Sequence, residues 1–314
     1  MKKVLITGMT GMIGSHFVNA CTSKGWETYG VARNSASSRL AAIPIQNLIN
    51  CDIIGYHEIE NVVRKVSPDI VIHMAAQAFN GSSWNAEDIT HLTNYQGTLN
   101  VLRSCKQVVP NAKILLACSS AEYGNVRPDE CPIVEERLLQ PFSPYGVSKV
   151  GVECLGYQYF ANYGMSIYLP RLFIHVGTGH PPATAIQNFA RQLALISKGK
   201  AEPAIRVGSL ETSRDFIDVR DGVDGMMLLL ELGKPGIPVN ICTGTAHKIS
   251  DILQILIKIS GLEVKVLQDP GLMRPSDEPL LLGNNSRLRA LGWEQKYTIE
   301  QTLQAVYENW LSRI

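Results

Sequence analysis

The feature that most constrains this chain is a glycine triplet, Gly8-x-x-Gly11-x-x-Gly14. It lies directly behind the apolar run Val4-Leu5-Ile6 and directly ahead of a helical segment. A strand that turns into a helix within a few residues needs glycine where the backbone reverses, and again where a second backbone or a ligand comes close. The start of a helix near Met12 also presents unpaired N–H groups and positive partial charge. Gly8, Gly11, Met12, Ile13 and Gly14 therefore read as a cradle for the pyrophosphate of a dinucleotide. A plain glycine-rich turn would share the triplet but has no need of the strand before it and the helix after it.

The pattern that follows alternates strand and helix. Strands are expected at 3–7, 27–32, 70–74, 113–118 and 166–169, and helices at 12–24, 59–66, 98–108 and 145–163, the last closed by Gly164. Apolar strands alternating with helices predict an α/β fold, a Rossmann-like doubly wound parallel sheet. Beyond it the order loosens, with helices expected at 185–198, 249–260 and 299–310. The expected division is a dinucleotide-binding domain over 1–172 and a smaller α/β substrate-binding region over 173–314. Some of that region, around 214–230, is expected to return to the first domain.

Composition narrows the partners. Of 314 residues 45% are hydrophobic, enough for a substantial core, and the formal net charge is +1 with no strongly basic stretch. Neither nucleic acid nor an anionic membrane is an expected partner. Met1-Lys2-Lys3 leads into a strand rather than a signal segment, and no apolar run is long enough to span a bilayer. Seven cysteines without a CxxC pair read as reduced thiols, so a cytoplasmic location is expected. The seven histidines are scattered, and no metal site is expected.

Cofactor choice is read at the end of the second strand, where an acid binds the adenosine ribose of NAD. Here the chain reads Gly30-Val31-Ala32-Arg33-Asn34-Ser35, with no acid. Arg33 suits a 2′-phosphate, which favours NADP(H) and leaves NAD(H) possible; Arg33 as a solvated loop residue is the other reading. Asp52 could meet the adenine amino group or serve only as a turn residue.

The chemistry is read from Tyr145-x-x-x-Lys149 and Ser119. Residues four apart on a helix share a face. A phenol is a poor acid–base group near neutral pH. The expectation is that a neighbouring Lys149 ammonium and a positive nicotinamide ring lower its pKa. Tyr145 could then exchange a proton with an alcohol or ketone as hydride moves, with Ser119 bonded to the same oxygen.

With these residues in view the chain resembles the extended short-chain dehydrogenase/reductase family. The likeness runs through Thr7-Gly8-Met9-Thr10-Gly11-Met12-Ile13-Gly14, His73-Met74-Ala75-Ala76-Gln77, Ser119-Ser120-Ala121-Glu122-Tyr123-Gly124 and Ser143-Pro144-Tyr145-Gly146-Val147-Ser148-Lys149. Ser213-Arg214-Asp215-Phe216-Ile217-Asp218-Val219-Arg220-Asp221 and Arg274-Pro275-Ser276-Asp277-Glu278 resemble the branch that acts on GDP-mannose derivatives. Gln268-Asp269-Pro270 and Leu291-Gly292-Trp293 are similar to its reductase members. The resemblance implies a nucleotide-diphosphate sugar as substrate, GDP-linked. It implies Ile53, Ala75 and Ala76 beside the cofactor, and Gln77, Ser120 and Asn188 beside the substrate. Arg214 and Arg274 would hold the diphosphate, and Asp277 would stand near the nucleotide ribose. It also implies a homodimer through helices over 89–107 and 145–163.

Two departures shape the expected activity. Relatives that dehydrate the sugar place an acid one or two positions after the catalytic Ser or Thr, and here those positions are Ser120 and Ala121. Glu122, one further on, would point to the opposite face of an extended segment. Ile174 stands where relatives place an asparagine against the nucleotide. The leading expectation is NADPH-dependent reduction of the C4 ketone of a GDP-4-keto-6-deoxyhexose. A nucleotide-sugar 4-epimerase with bound NAD uses the same trio, and a non-catalytic nucleotide-binding protein stands behind both.

Overall fold

Strand β1 (Lys3–Thr7) is buried from Val4 to Thr7, which places it inside a sheet covered on both faces. The computed structural model describes residues 1–33, 47–273 and 278–314. On one side β1 pairs in parallel with β2 (Glu27–Ala32), and β2 with β3 (Leu48–Asn50). On the other it pairs with β4 (Ile70–His73), followed by β5 (Lys113–Leu116). Then come β6 (Cys118–Ser119) and β7 (Ser166–Leu172). The strand order therefore reverses between β1 and β4, where the loops after Thr7 and His73 leave the sheet side by side. Ligands of open α/β sheets bind at such a switch point.

Alternation along β1 builds both faces. Val4 and Ile6 enter one core and Leu5 the other. The Leu5 face is covered by α2 (Tyr56–Val66), α5 (Gly97–Val108) and α6 (Pro144–Tyr163). Between α2 and α5 run the short α3 (Asn80–Ser83), α4 (Glu87–His91) and a π-helical turn, Leu92–Gln96. The other face carries α1 (Met12–Ser23).

After β7 the chain forms β8 (Ile174–Val176), α7 (Ala185–Ser197), β9 (Ala204–Val207), β10 (Ser213–Asp218) and α8 (Val219–Leu232). It continues through β11 (Pro238–Ile241), β12 (Ala246–Lys248), α9 (Ile249–Ser260), β13 (Lys265–Gln268), β14 (Leu280–Leu281), α10 (Ser286–Arg289) and α11 (Ile299–Arg313). α8 packs beside α1, and β11 joins the edge of the large sheet against β7. β10 stays outside that sheet, between β12 and β14 with β8 also paired to it. A further core of Phe189, Leu193, Ile252, Leu256, Leu303 and Trp310 joins α7, α9 and α11.

Two strands differ from the sequence expectation. The run 113–118 divides at Ala117, whose N–H donates to the His73 carbonyl at 3.2 Å while the chain moves from β5 to β6. β7 runs on through Pro170 to Leu172. Its ladder with β5 ends at Tyr168 and that with β6 begins at Arg171, so the missing proline N–H falls between the two.

Candidate active site

The three glycines do different things. Gly8 has φ +69°, and a Cβ there would lie 2.6 Å from the Ala75 nitrogen, so the loops after β1 and β4 touch through their backbones. A Cβ on Gly14 would lie 2.3 Å from the Gly8 carbonyl oxygen, which seats α1 on the loop. Gly11 is the N-cap of α1 and gives it no side-chain cap; a Cβ there would meet only the Gly8 oxygen, at 3.2 Å. The first turn, with Met12 and Ile13, holds no acid. An uncapped helix start with space above a glycine fits an anionic pyrophosphate. A Cβ on Gly30 would fall 1.7 Å from the Met9 sulfur, so β2 accepts the buried Met9 only because residue 30 is glycine.

Arg33 follows β2 directly and is exposed; Asn34 and Ser35 lie outside the described residues. Asp52 accepts the Ile54 N–H at 3.1 Å through one carboxylate oxygen. Ile53 is buried, and a Cβ on Gly97 would lie 2.5 Å from its Cδ1. Ala75 and Ala76 are half-buried in the loop after β4.

Ser119 ends β6, opposite Leu172 of β7. Tyr145 opens α6, where Ser143 caps the helix by accepting the Gly146 N–H at 3.1 Å and Pro144 stands in the first turn. The Ser119 hydroxyl, which accepts the Ala121 N–H at 3.2 Å, is near enough to Tyr145 to favour the ionised phenol. Lys149 is buried one turn on, its Nζ donating to the Ala117 carbonyl at 2.6 Å and standing 5.8 Å from the Tyr145 ring centre. Without the nicotinamide ring the phenol is raised rather than lowered. Burial pushes Tyr145 up to about 12, Ser119 pulls it down, and Glu122 and Cys118 push it up. Burial lowers Lys149 itself, against the pull of Cys118 and Glu122. In the free protein the group is thus a protonated phenol, ready to give a proton to a developing alkoxide.

A hydrogen-bonded chain that sequence reasoning missed ties the glycine loop to α6. The Ala75 N–H donates to Thr7 Oγ1 at 3.2 Å, and Thr7 Oγ1 lies 2.7 Å from His73 Nδ1. His73 Nε2 lies 3.0 Å from Thr98 Oγ1, whose hydroxyl donates to the Asn94 carbonyl. Thr98 has one hydroxyl proton and has spent it, so His73 donates from Nε2 and accepts at Nδ1. Burial, with Lys149 nearby, drops His73 to about 3, so it is neutral. The Asn94 amide grips Gln77 at both backbone groups and donates to Ser148 Oγ at 2.9 Å. Ser148 in turn donates to the Tyr145 carbonyl at 2.7 Å.

Residues 120–122 form a 3₁₀ turn rather than the expected extended segment. Glu122 nevertheless points away from the Tyr145 hydroxyl's chemistry: its Oε1 accepts the Ser119 N–H at 2.7 Å. Ser120 is buried in the same turn. Among the described residues no carboxylate takes the place of Ala121.

A cavity of about 270 Å³ opens beyond β8, lined among others by Ile174, His175, Asn188, Phe189, Arg214 and Leu272. Ile174, in its lining, lies two residues past the Leu172 that pairs with Ser119; Ser119, Tyr145 and Lys149 themselves do not line it. Arg214 is held by the Glu278 carbonyl at 2.6 Å and its carboxylate at 3.6 Å. Gln77 spends its amide on the Phe79 backbone. Arg274 and Asp277 lie outside the described residues.

Residues 5–306 match the protein family described as GDP-mannose 4,6 dehydratase. The chain belongs to this family. It is 30% identical to GDP-6-deoxy-D-mannose reductase of Pseudomonas aeruginosa over 316 residues, covering 100% of this chain and 98% of that one. Among solved structures, RMD from Pseudomonas aeruginosa complexed with NADPH superposes with a TM-score of 0.88 at 29% identity, with 100% of both chains covered. UDP-glucose 4-epimerase of Thermus thermophilus, a complex with NAD, gives 0.90 at 25% identity, over 99% of this chain and 100% of that one. The fold is that of the extended short-chain dehydrogenase/reductases, and the protein is an NAD(P)-dependent enzyme of nucleotide-sugar chemistry.

Proposed function

We propose that this enzyme reduces the C4 ketone of a GDP-4-keto-6-deoxyhexose, with NADPH as the hydride source. The observation that carries the reading is a complete Ser119–Tyr145–Lys149 group with Ala121 beside it and Glu122 turned back onto the Ser119 N–H. Dehydration of a hexose needs a further side chain to take the C5 proton, and none of the described residues beside Ser119 and Tyr145 is placed for it. Ketone reduction asks only for a polarised carbonyl and one proton.

NADPH supplies the hydride. Tyr145 gives its proton to the ketone oxygen, and the Ser119 hydroxyl, beside the phenol, donates its own proton to the same oxygen. Lys149 takes the nicotinamide ribose and holds Tyr145 in line. The first turn of α1, through Gly11, Met12, Ile13 and Gly14, holds the pyrophosphate, and Arg33 takes the 2′-phosphate. Arg214 and Asn188 in the cavity take the diphosphate and nucleotide of the substrate, with Arg274 and Asp277 following on in sequence. Ile174 makes the contact at its position apolar. A 4-epimerase would use the same trio with retained NAD; Arg33 in place of a strand-end acid favours a dissociable NADP(H). The free cysteines among the described residues fit a cytoplasmic enzyme, and we propose a homodimer.

The test is anaerobic incubation with NADPH and GDP-4-keto-6-deoxymannose. Stoichiometric loss of NADPH absorbance with appearance of a GDP-deoxyhexose is expected. Full retention of NADPH, with interconversion of another nucleotide sugar by tightly bound NAD, would replace this reading by epimerisation.

A further inference from the structure

The proposed reaction leaves unused a buried cluster around Ser119. Glu122 is fully buried. Its Oε1 takes the Ser119 N–H, while Oε2 has no hydrogen-bond partner among the described residues. The nearest cation is Arg171, whose Nε is 3.8 Å from that oxygen, beyond hydrogen-bond range. Arg171 is already committed. Its Nε and Nη2 fork onto Glu153 at 2.7 and 2.6 Å, and Nη1 donates to Tyr123 Oη at 2.9 Å and the Glu135 carbonyl at 2.8 Å. Lys149, the other cation here, donates to Ala117. One guanidinium thus serves two carboxyl groups, and Glu153 has taken both of its forks. The oxygens of Glu122 and Glu153 and the Cys118 sulfur lie within 4.8 Å of one another. Arg171 brings the positive charge a metal ion would otherwise bring.

We propose that Glu122 keeps a proton at neutral pH, donates it as an O–H to Glu153, and acts as a positioning residue that fixes Ser119 without placing an anion behind Tyr145. An ionised Glu122 would leave an unpaired buried charge, which is costly. Burial and Glu153 both push its carboxyl well above the usual range, with Arg171 and the Ser119 N–H opposing. The titratable groups that face it are Cys118 on β6, Tyr145, Lys149, Glu153 and Cys154 on α6, and Arg171 on β7. Burial holds the Cys118 thiol neutral as well. With Glu122 neutral, the upward push its carboxylate would exert on Tyr145 is removed, while Lys149 Nζ stands 5.8 Å from the Tyr145 ring centre. The charge state stands on this geometry; its effect on turnover rests on the reductase reading.

The experiment is infrared difference spectroscopy of the NADPH-loaded enzyme, wild type against Glu122→Gln, at pH 7 to 8. A protonated-carboxyl stretch present in the wild type and missing in E122Q is expected; its absence from the wild type would overturn the proposal whatever the substrate proves to be. Turnover gives the second readout. Glu122→Val, which leaves the Ser119 N–H unpaired, is expected to lose about tenfold in kcat with KM little changed. Glu122→Gln, which keeps acceptor and donor, is expected to restore it with the wild-type pH profile. An E122Q profile whose alkaline limb moves down by about one pH unit would mean that an anion had been removed, and would equally sink the idea. If E122V does not fold, the spectrum and the E122Q profile still decide. If no nucleotide sugar turns over, the reductase reading fails and the infrared result stands on its own.

Discussion

At the scale of single residues, the deciding quantity is where the protons sit. Tyr145 keeps part of its surface open, yet its surroundings push the phenol to about 12, so it stays protonated across the neutral range. That suits a group that donates to a ketone oxygen. Tyr145→Phe is therefore expected to lower kcat by about 10²–10⁴-fold, the usual worth of a general acid. NADPH affinity, read by fluorescence titration, should be little changed; an active Y145F enzyme would remove the phenol from the chemistry. The buried histidines make a second prediction. His73 falls to about 3 and His175 to about 4 because burial penalises their charged forms. In the unfolded chain both titrate near the ordinary 6.5. The unfolded state thus binds more protons between pH 6.5 and about 4, and the neutral-state contribution, complete above 6.5, is lost as pH falls. The free energy of unfolding should fall over that window by up to about 1.4 kcal/mol per pH unit from each histidine, and the thermal midpoint with it. His73→Asn should lower the pH 7 value and flatten the fall. Ser119, Tyr145 and Lys149 were legible in the sequence because their chemistry is carried by residue type and short spacing. Glu153 continues the same stripe four residues past Lys149, a signal that was available. His73 and Asn94 were not legible, since their partners Thr7 and Ser148 are brought to them only by the completed sheet.

At the scale of elements, the glycine loop separates packing from binding. Gly8 combines φ +69° with a backbone contact that a methyl group cannot share, whereas Gly11 is crowded only by the Gly8 oxygen. Gly8→Ala should therefore destabilise the apo protein by about 1–3 kcal/mol, the cost of a strained left-handed residue, as well as weaken NADPH binding. Gly11→Ala, whose methyl meets only the Gly8 oxygen at 3.2 Å, should cost the apo protein less than Gly8→Ala and should raise the Kd for NADPH if the first turn of α1 holds the pyrophosphate as proposed. Equal melting losses for the two variants would refute the distinction. Element positions followed from periodicity and from stop signals such as Gly164, which caps α6 at φ +65°. What periodicity did not carry was the break at Ala117, the passage of β7 through Pro170 and the π turn 92–96. Each is decided by a neighbouring strand or helix rather than by the local run of residues. Among them the π turn matters most for the site, since it holds Asn94, the residue that locks the Gln77 backbone to α6.

At the scale of the whole molecule, one face asks for a partner. α4, the π turn and α6 pack side by side, and their outer surfaces expose Ile89, Leu92, Tyr95, Val147 and Tyr157. Tyr95 lies across Gly151, where an added Cβ would fall 2.7 Å from its ring, so the two helices approach closely enough to form one continuous surface. Large apolar side chains gathered on a water-exposed face are a common mark of an interaction surface, which is why the proposed homodimer is placed here. Two such faces related by a two-fold axis would bury one another as a four-helix layer. The face lies on the same α6 that carries Tyr145 and Lys149 one turn apart, Lys149 buried and Val147 exposed. Association would thus stiffen the helix that holds the reacting phenol without touching the cavity. Sedimentation at micromolar concentration is expected to give a dimer, and Val147→Arg, which buries an unpaired charge at each copy's α6, should give a monomer. The monomer should keep NADPH binding, since α1 and its glycine loop pack on the other face of the sheet, while kcat falls as α6 loosens. A wild-type monomer under these conditions, or a V147R dimer of unchanged stability, would assign the patch to some other contact.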